Sequence, residues 1–240
     1  MRKFNYASVI LLMILSGIIS GVFEKIYDGN LSIIGTIFTW IINYIICRGL
    51  LYTREGSFSD YFRGIKTITG KVFLMNILVG AISALGLIFS TITSGTAAVL
   101  TDSGMRSIIF ISILYMLVTA LFSIIFAYLN FVMADMRYRD LPFFKCLKLI
   151  LKAGFKLFSE TFIIGVKVFK VTIISLIVAL VMIIPAKSMP EFLTISFIAI
   201  MVASLAAVIV APNYIARLSD IYLDKINGIY DEMEEDREVI

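Results

Sequence analysis

Apolar residues in this chain gather into long runs rather than alternating with polar ones. Six runs reach the roughly 20 residues that a helix needs to cross a hydrocarbon core of about 30 Å. They extend from about Ala7 to Phe23, Leu31 to Leu51, Val72 to Thr93, Ser107 to Met133, Thr161 to Ile184 and Phe192 to Ala216, each with polar flanks. The pattern predicts an all-α polytopic membrane protein with about six transmembrane helices. The first run follows Met1-Arg2-Lys3 as a signal peptide would, but it is long for one and leads through Asp28-Gly29-Asn30 into the second run, which fits a retained hairpin better. Within it Gly17 and Gly21 form a G-x-x-x-G step, a spacing that allows close helix approach and that ordinary small residues also produce.

The segments after the second and fourth runs are longer than a turn requires, and both read as short amphipathic helices lying along a membrane surface. Ser57-Phe58-Ser59-Asp60 has the spacing of a helix-capping box. Phe62, Arg63, Ile65, Lys66 and Ile68 follow it, and Phe144, Lys145, Leu147, Lys148 and Ile150 repeat that order 82 positions later. The repetition predicts a parallel internal repeat of helix, surface helix, helix. In the second connector Lys145, Lys148, Lys152 and Lys156 fall along one helical face, beside an apolar face that includes Phe143, Phe144, Leu147, Ile150 and Leu151. Such a face anchors a helix at the headgroup boundary, where each cation contributes about 1 kcal/mol of attraction to anionic lipid.

Lys and Arg alternate in density between the runs. Arg2, Lys3, Arg48, Arg54, Arg63, Lys66, Lys71, the stretch from Arg137 to Lys156, Arg217, Lys225 and Arg237 fall on one side of a six-helix topology, and only Lys25, Arg106 and Lys187 on the other. The positive-inside rule then places both termini in the cytoplasm. Residues 1–226 read as one six-helix transmembrane domain. Residues 227–240, with six acids and one arginine from Asp231 onward, read as a solvated acidic cytoplasmic tail.

Composition supports the same class. Of the 240 residues 60% are hydrophobic and 16% charged, and the mean hydropathy is +0.99, whereas soluble domains are about 45–50% apolar and about 25% charged. The net charge of +4 is modest and makes nucleic acid a poor partner. Cys47 and Cys146 are expected to be buried apolar residues rather than a disulfide. The chain has no histidine, so a Ser-His triad, an H-E-x-x-H zinc site and a histidine general acid are excluded. No P-loop, G-x-G-x-x-G or cysteine metal cluster is present, and no cofactor, metal or catalytic residue is expected.

Polar residues inside the runs are the remaining candidates. Lys167 and Lys170 share a face if the fifth run is one helix, with Lys170 about 10 Å along it at 1.5 Å per residue. There they either snorkel to the headgroups or line a cationic cavity for an anion. Asn43, Asn76, Asn130 and Asn213 put one amide in each of four runs, where a hydrogen bond between helices is the usual reason to tolerate it. Asp135 and Glu160 sit at run boundaries, placed to neutralise nearby cations.

The string from Arg54 through Gly56-Ser57-Phe58-Ser59-Asp60-Tyr61-Phe62 to Gly64, followed by Lys71 to Gly80, is similar to an uncharacterised bacterial membrane family catalogued as domain of unknown function 975. More loosely it resembles the membrane domain attached to some glycerophosphodiester phosphodiesterases. Phe131-Val132-Met133-Ala134-Asp135, the basic helix ending at Gly154 and the segment from Tyr214 to Leu223 carry the likeness further, over most of Ile34 to Lys225. The resemblance implies a six-helix domain of a bacterial cytoplasmic membrane and brings no catalytic residues with it.

Three functions follow as expectations. The first is a non-enzymatic module that binds anionic lipid headgroups or a membrane partner protein, through Arg63, Lys66, Lys145, Lys148, Lys152 and Lys156. The second is a transport component, a substrate-binding or permease subunit that uses Lys167 and Lys170 for an anionic ligand and contacts an ATPase. The third is a lipid-acting enzyme using Asp135 or Glu160.

Overall fold

The computed structural model describes residues 2–26, 32–82, 117–183 and 191–238. Among these residues the chain is helical throughout, without a strand. The helices are α1 (Tyr6–Ile26), α2 (Ser32–Tyr52), α3 (Phe58–Phe62) with a 3-10 turn at Arg63–Thr67, α4 (Gly70–Ile82), α5 (117–125), α6 (Leu129–Ala134), α7 (Phe143–Lys156), α8 (Phe158–Val168), α9 (Lys170–Ile183) and α10 (Glu191–Glu238). Four stretches are long and apolar enough to cross a bilayer: Tyr6–Phe23, Ile33–Tyr52, Leu117–Ala134 across α5 and α6, and Leu193–Glu235. Counting the pairs Phe58–Thr67 with Gly70–Ile82, and Phe158–Val168 with Lys170–Met182, as one span each raises the number to six. The protein is an all-α polytopic membrane protein. Parts of the third and fourth expected spans, residues 83–93 and 107–116, lie outside the described residues, as do Arg106 and Lys187.

Lipid is the solvent that explains the surface. Leu193, Phe197, Ile198, Met201, Leu205 and Ile209 of α10, and Val171, Ile174, Ile177 and Val181 of α9, are all exposed. Apolar side chains at this density face hydrocarbon at no cost, and packing between helices then rests on small residues and hydrogen bonds.

The chain divides into two compact units. The first comprises the described residues of 1–66 and 159–226. In it α1 and α2 pack through small side chains. Ser16 and Ser20 approach the Thr39 hydroxyl at 3.2 and 3.0 Å, Ser20 donates to the Gly35 carbonyl at 3.2 Å, and a Cβ on Gly35 would lie 3.0 Å from the Ser20 Cα. The expected Gly17 and Gly21 step is one residue out of this register, and a Cβ at either position meets nothing within 4 Å. Gly17→Ala is therefore expected to leave thermal stability unchanged or raise it by up to about 1 kcal/mol through helix propensity. A fall in melting temperature in detergent would show that Gly17 packs against something.

The same unit holds α8 and α9. The fifth run is not one helix: α8 and α9 meet at Phe169 with a 72° bend. The Phe169 ring packs edge-on against Tyr214 with centroids 5.2 Å apart, which holds the corner. Farther along, Ser196 of α10 donates to the Ala179 carbonyl of α9 at 3.0 Å, and Ala199 and Ala203 are buried with it.

The second unit comprises the described residues of 67–158 and 227–240. α7 buries Cys146, Leu149, Ile150, Ala153 and Gly154, positions that share one helical face. Gly154 lies against the break between α5 and α6: a Cβ there would fall 1.9 Å from the Ile125 carbonyl oxygen. α4 is tied to the turn before α7 by Lys71, whose ammonium donates to the Arg139 carbonyl and, at 2.5 Å, to that of Leu141.

The acidic tail continues a helix, with Asp231, Glu232 and Glu235 exposed and Ile229 and Met233 buried. α10 runs unbroken through Pro212 to Glu238, 48 residues or about 72 Å, more than twice the hydrocarbon thickness. Ser219, Tyr222, Ile226, Ile229 and Met233 are all buried, at alternating steps of three and four. The helix therefore continues past the membrane-spanning length as an amphipathic helix docked on the protein.

Candidate functional site

The structure sorts the cations of the two basic connectors into two groups. On α7, Lys145 pairs with Glu234 at 3.3 Å and Lys156 pairs with Glu232, so the acidic tail covers two of the four lysines expected on one stripe. Lys152 is half-buried, and Lys148 is exposed. Phe144 and Phe155, 80% and 63% exposed, stand on the same outward face as Lys148. Aromatic rings beside a cation on an open helical face match the headgroup level of a bilayer, where rings sit among the acyl ends and the ammonium stays wet.

The first connector is built differently. The capping box forms: Asp60 Oδ2 accepts from the Ser57 N–H at 2.9 Å and from its hydroxyl at 2.8 Å. These bonds, first the hydroxyl and then the backbone, hold the Asp60 carboxyl below its ordinary range. Phe58 and Phe62 stack with centroids 5.9 Å apart, both partly exposed, and Arg63 and Lys66 are exposed. Burial pushes the Tyr61 hydroxyl up to about 12, and it donates to the Arg54 carbonyl at 2.9 Å. Its ring lies directly on Gly49 of α2, where a Cβ would come within 2.1 Å of it.

Between α2 and α3 lies a cavity of about 150 Å³ lined by Arg48, Tyr52, Thr53, Asp60, Arg63 and Gly64 among others. The Arg48 guanidinium carbon is 5.4 Å from the Tyr52 ring centroid. Arg63 lies 3.5 Å from Asp60. Sequence reading counted Arg48 only toward topology. Nothing local marks it, because the cavity is made by residues on two helices meeting across Gly49 and Gly64.

Lys167 and Lys170 are both exposed, but they flank the Phe169 corner instead of sharing a helical face. Lys167 is in the last turn of α8, the favourable end of a helix for a cation, and Lys170 opens α9. Lys170 thus marks the start of a helix and does not sit about 10 Å inside one.

The carboxylates at run boundaries have partners. Asp135, 1% exposed, is held by the Arg137 guanidinium, whose Nε lies 3.0 Å from Oδ1 and whose Nη2 lies 2.6 Å from Oδ2. Arg137 and the Tyr138 hydroxyl both donate to Asn227 Oδ1, at 2.5 and 3.0 Å. Glu160 accepts from Lys225. Among the amides, Asn76 donates back to the Val72 carbonyl of its own helix at 2.8 Å rather than across to a neighbour. Asn130 Oδ1 is buried without a hydrogen-bond partner among the described residues. Both cysteines are buried free thiols, as expected, and no metal-holding cluster of His, Cys, Asp and Glu occurs among the described residues. No family model, curated protein or solved structure matches this chain.

Proposed function

We propose that this chain is a non-enzymatic multi-pass protein of a bacterial cytoplasmic membrane, with both ends in the cytoplasm, that engages anionic lipid headgroups through its basic surface helices. The observation that carries this reading is the outward face of α7, where Phe144 and Phe155 flank Lys148 with all three exposed. α3 offers a smaller version, with stacked Phe58 and Phe62 followed by Arg63 and Lys66. Lys145 and Lys156 serve the fold instead, as the docking contacts of the tail.

Native mass spectrometry of the purified protein titrated with phosphatidylglycerol or phosphatidylcholine tests this. Lys66→Gln/Lys148→Gln is expected to weaken phosphatidylglycerol retention about 25-fold, from two cations at about 1 kcal/mol each, and to leave phosphatidylcholine unaffected. Unchanged phosphatidylglycerol retention would remove the surface helices from the function. A transport reading draws on the α8–α9 corner, since interrupted membrane helices often line binding sites in transporters. Loss of a bound anion in Lys167→Leu/Lys170→Leu, with Lys66→Gln/Lys148→Gln unaffected, would move the function to that corner.

A further inference from the structure

The geometry points to a phosphate-binding site in the cavity between α2 and α3, with Arg48 and Arg63 as its two cationic walls. Arg48 is half-buried and, among the described residues, has no carboxylate at ion-pair distance; its one described partner is the face of Tyr52. A guanidinium in that state lacks the anion that would offset its desolvation. Its stem lies flat along Gly64, where a Cβ would come within 3.1 Å of the Arg48 Cδ, so the glycine sets the depth of the cleft. Arg63 forms the outer wall with its side chain 78% exposed. The Asp60 carboxylate also lines the cavity, 3.5 Å from Arg63, and already accepts two hydrogen bonds from Ser57, and the three side chains together carry one net positive charge.

Volume and position select the ligand. A cavity of about 150 Å³ has room for a group the size of a phosphate. Planar guanidinium forks match phosphate oxygens in pairs, which a lysine ammonium does not. Arg48 lies one turn before the end of the membrane-crossing stretch Ile33–Tyr52, beside Tyr52, an aromatic residue of the type that collects at the headgroup level. The phosphate of a lipid headgroup and free inorganic phosphate both satisfy this chemistry. The site depends on the lipid-binding reading for the identity of its natural ligand, but not for its existence.

Binding of dioctanoyl phosphatidylglycerol to the detergent-purified full chain, by native mass spectrometry or calorimetry, tests the site. One saturable site per chain is expected, weakened at least tenfold in Arg48→Gln and in Arg63→Gln, whereas Lys66→Gln/Lys148→Gln is expected to lower only the further phosphatidylglycerol retained beyond that one site. Arg63 is exposed, so its variant reports on binding without a folding defect. Displacement by millimolar inorganic phosphate assigns the free ion as a ligand, and absence of displacement assigns the lipid headgroup. Unchanged affinity in the Arg63 variant, together with unchanged affinity in a normally melting Arg48 variant, overturns the site. Loss in the arginine variants alone leaves the site standing without the broader surface-helix reading, and loss in the lysine variant alone does the reverse.

Discussion

Gly154→Ala is expected to remove most of the folded protein, with a loss of about 3 kcal/mol or more and early aggregation on size exclusion in detergent. The new methyl carbon would stand 1.9 Å from the Ile125 oxygen, 2.7 Å from its carbonyl carbon and 2.9 Å from its Cα. Overpacking a core costs about 1–3 kcal/mol when side chains move aside. Here the obstacle is backbone, so either α7 slides off its buried face or the turn between α5 and α6 rebuilds. Gly49 offers the comparison. Its Cβ would also overlap a neighbour, at 2.1 Å, but that neighbour is the Tyr61 side chain, whose displacement costs its packing and its hydrogen bond to the Arg54 carbonyl rather than a rebuilt backbone. Gly49→Ala should therefore cost less than Gly154→Ala. A Gly154→Ala protein that melts within a few degrees of wild type would mean that α7 does not sit this close to Ile125.

The contrast between these glycines and Gly17 shows what a single sequence can and cannot disclose. The apolar runs disclosed the membrane class, because a run long enough for a bilayer has few other uses. The capping box at Ser57 and Asp60 and the amphipathic pattern of α7 were also legible, since each is a local matter of spacing. Register between helices was not. Small residues occur at Ser16, Gly17, Ser20 and Gly21, and only the neighbour across the interface decides that the serines face α2.

Two stretches were harder to read. The run of acids from Asp231 holds one buried position, Met233, which continues the stripe of Tyr222, Ile226 and Ile229 at steps of four, three and four. That stripe was readable, and the charge count drew attention from it. The fifth run looks like one helix because Val168-Phe169-Lys170 contains neither Pro nor Gly. Its one warning was the pair of lysines in mid-run, which a corner accommodates more easily than a hydrocarbon interior does. The cavity was illegible for a different reason. Arg48 and Arg63 are brought together by tertiary packing, and neither lies in a recognisable motif.

Arg54 was read as one more cytoplasmic charge, and its replacement is the other change expected to be severe. Its guanidinium meets Asp220 at 2.8 Å, with the two side chains only 12% and 17% exposed. It also donates to the Ser219 hydroxyl at 2.7 Å, the Ala216 carbonyl at 3.1 Å and the Lys3 carbonyl at 3.0 Å. Its own carbonyl accepts from the Asn5 N–H and the Tyr61 hydroxyl, both at 2.9 Å. One residue thus joins the N-terminal segment, α3 and α10. Arg54→Met keeps the length of the stem but leaves the largely buried Asp220 carboxylate with the Arg2 N–H at 3.2 Å in place of its guanidinium, and breaking a buried pair costs about 3–5 kcal/mol, the lower end applying here. Replacing both charges removes the desolvation penalty with the attraction, so Arg54→Met/Asp220→Leu should recover much of that loss. A double-mutant cycle on unfolding in detergent should then give a coupling of about 2 kcal/mol or more, within the range for contacting residues. If the two single losses simply add, the residues do not act as a pair, and the hydrogen bonds from Arg54 to α10 and Lys3 carry the stabilisation.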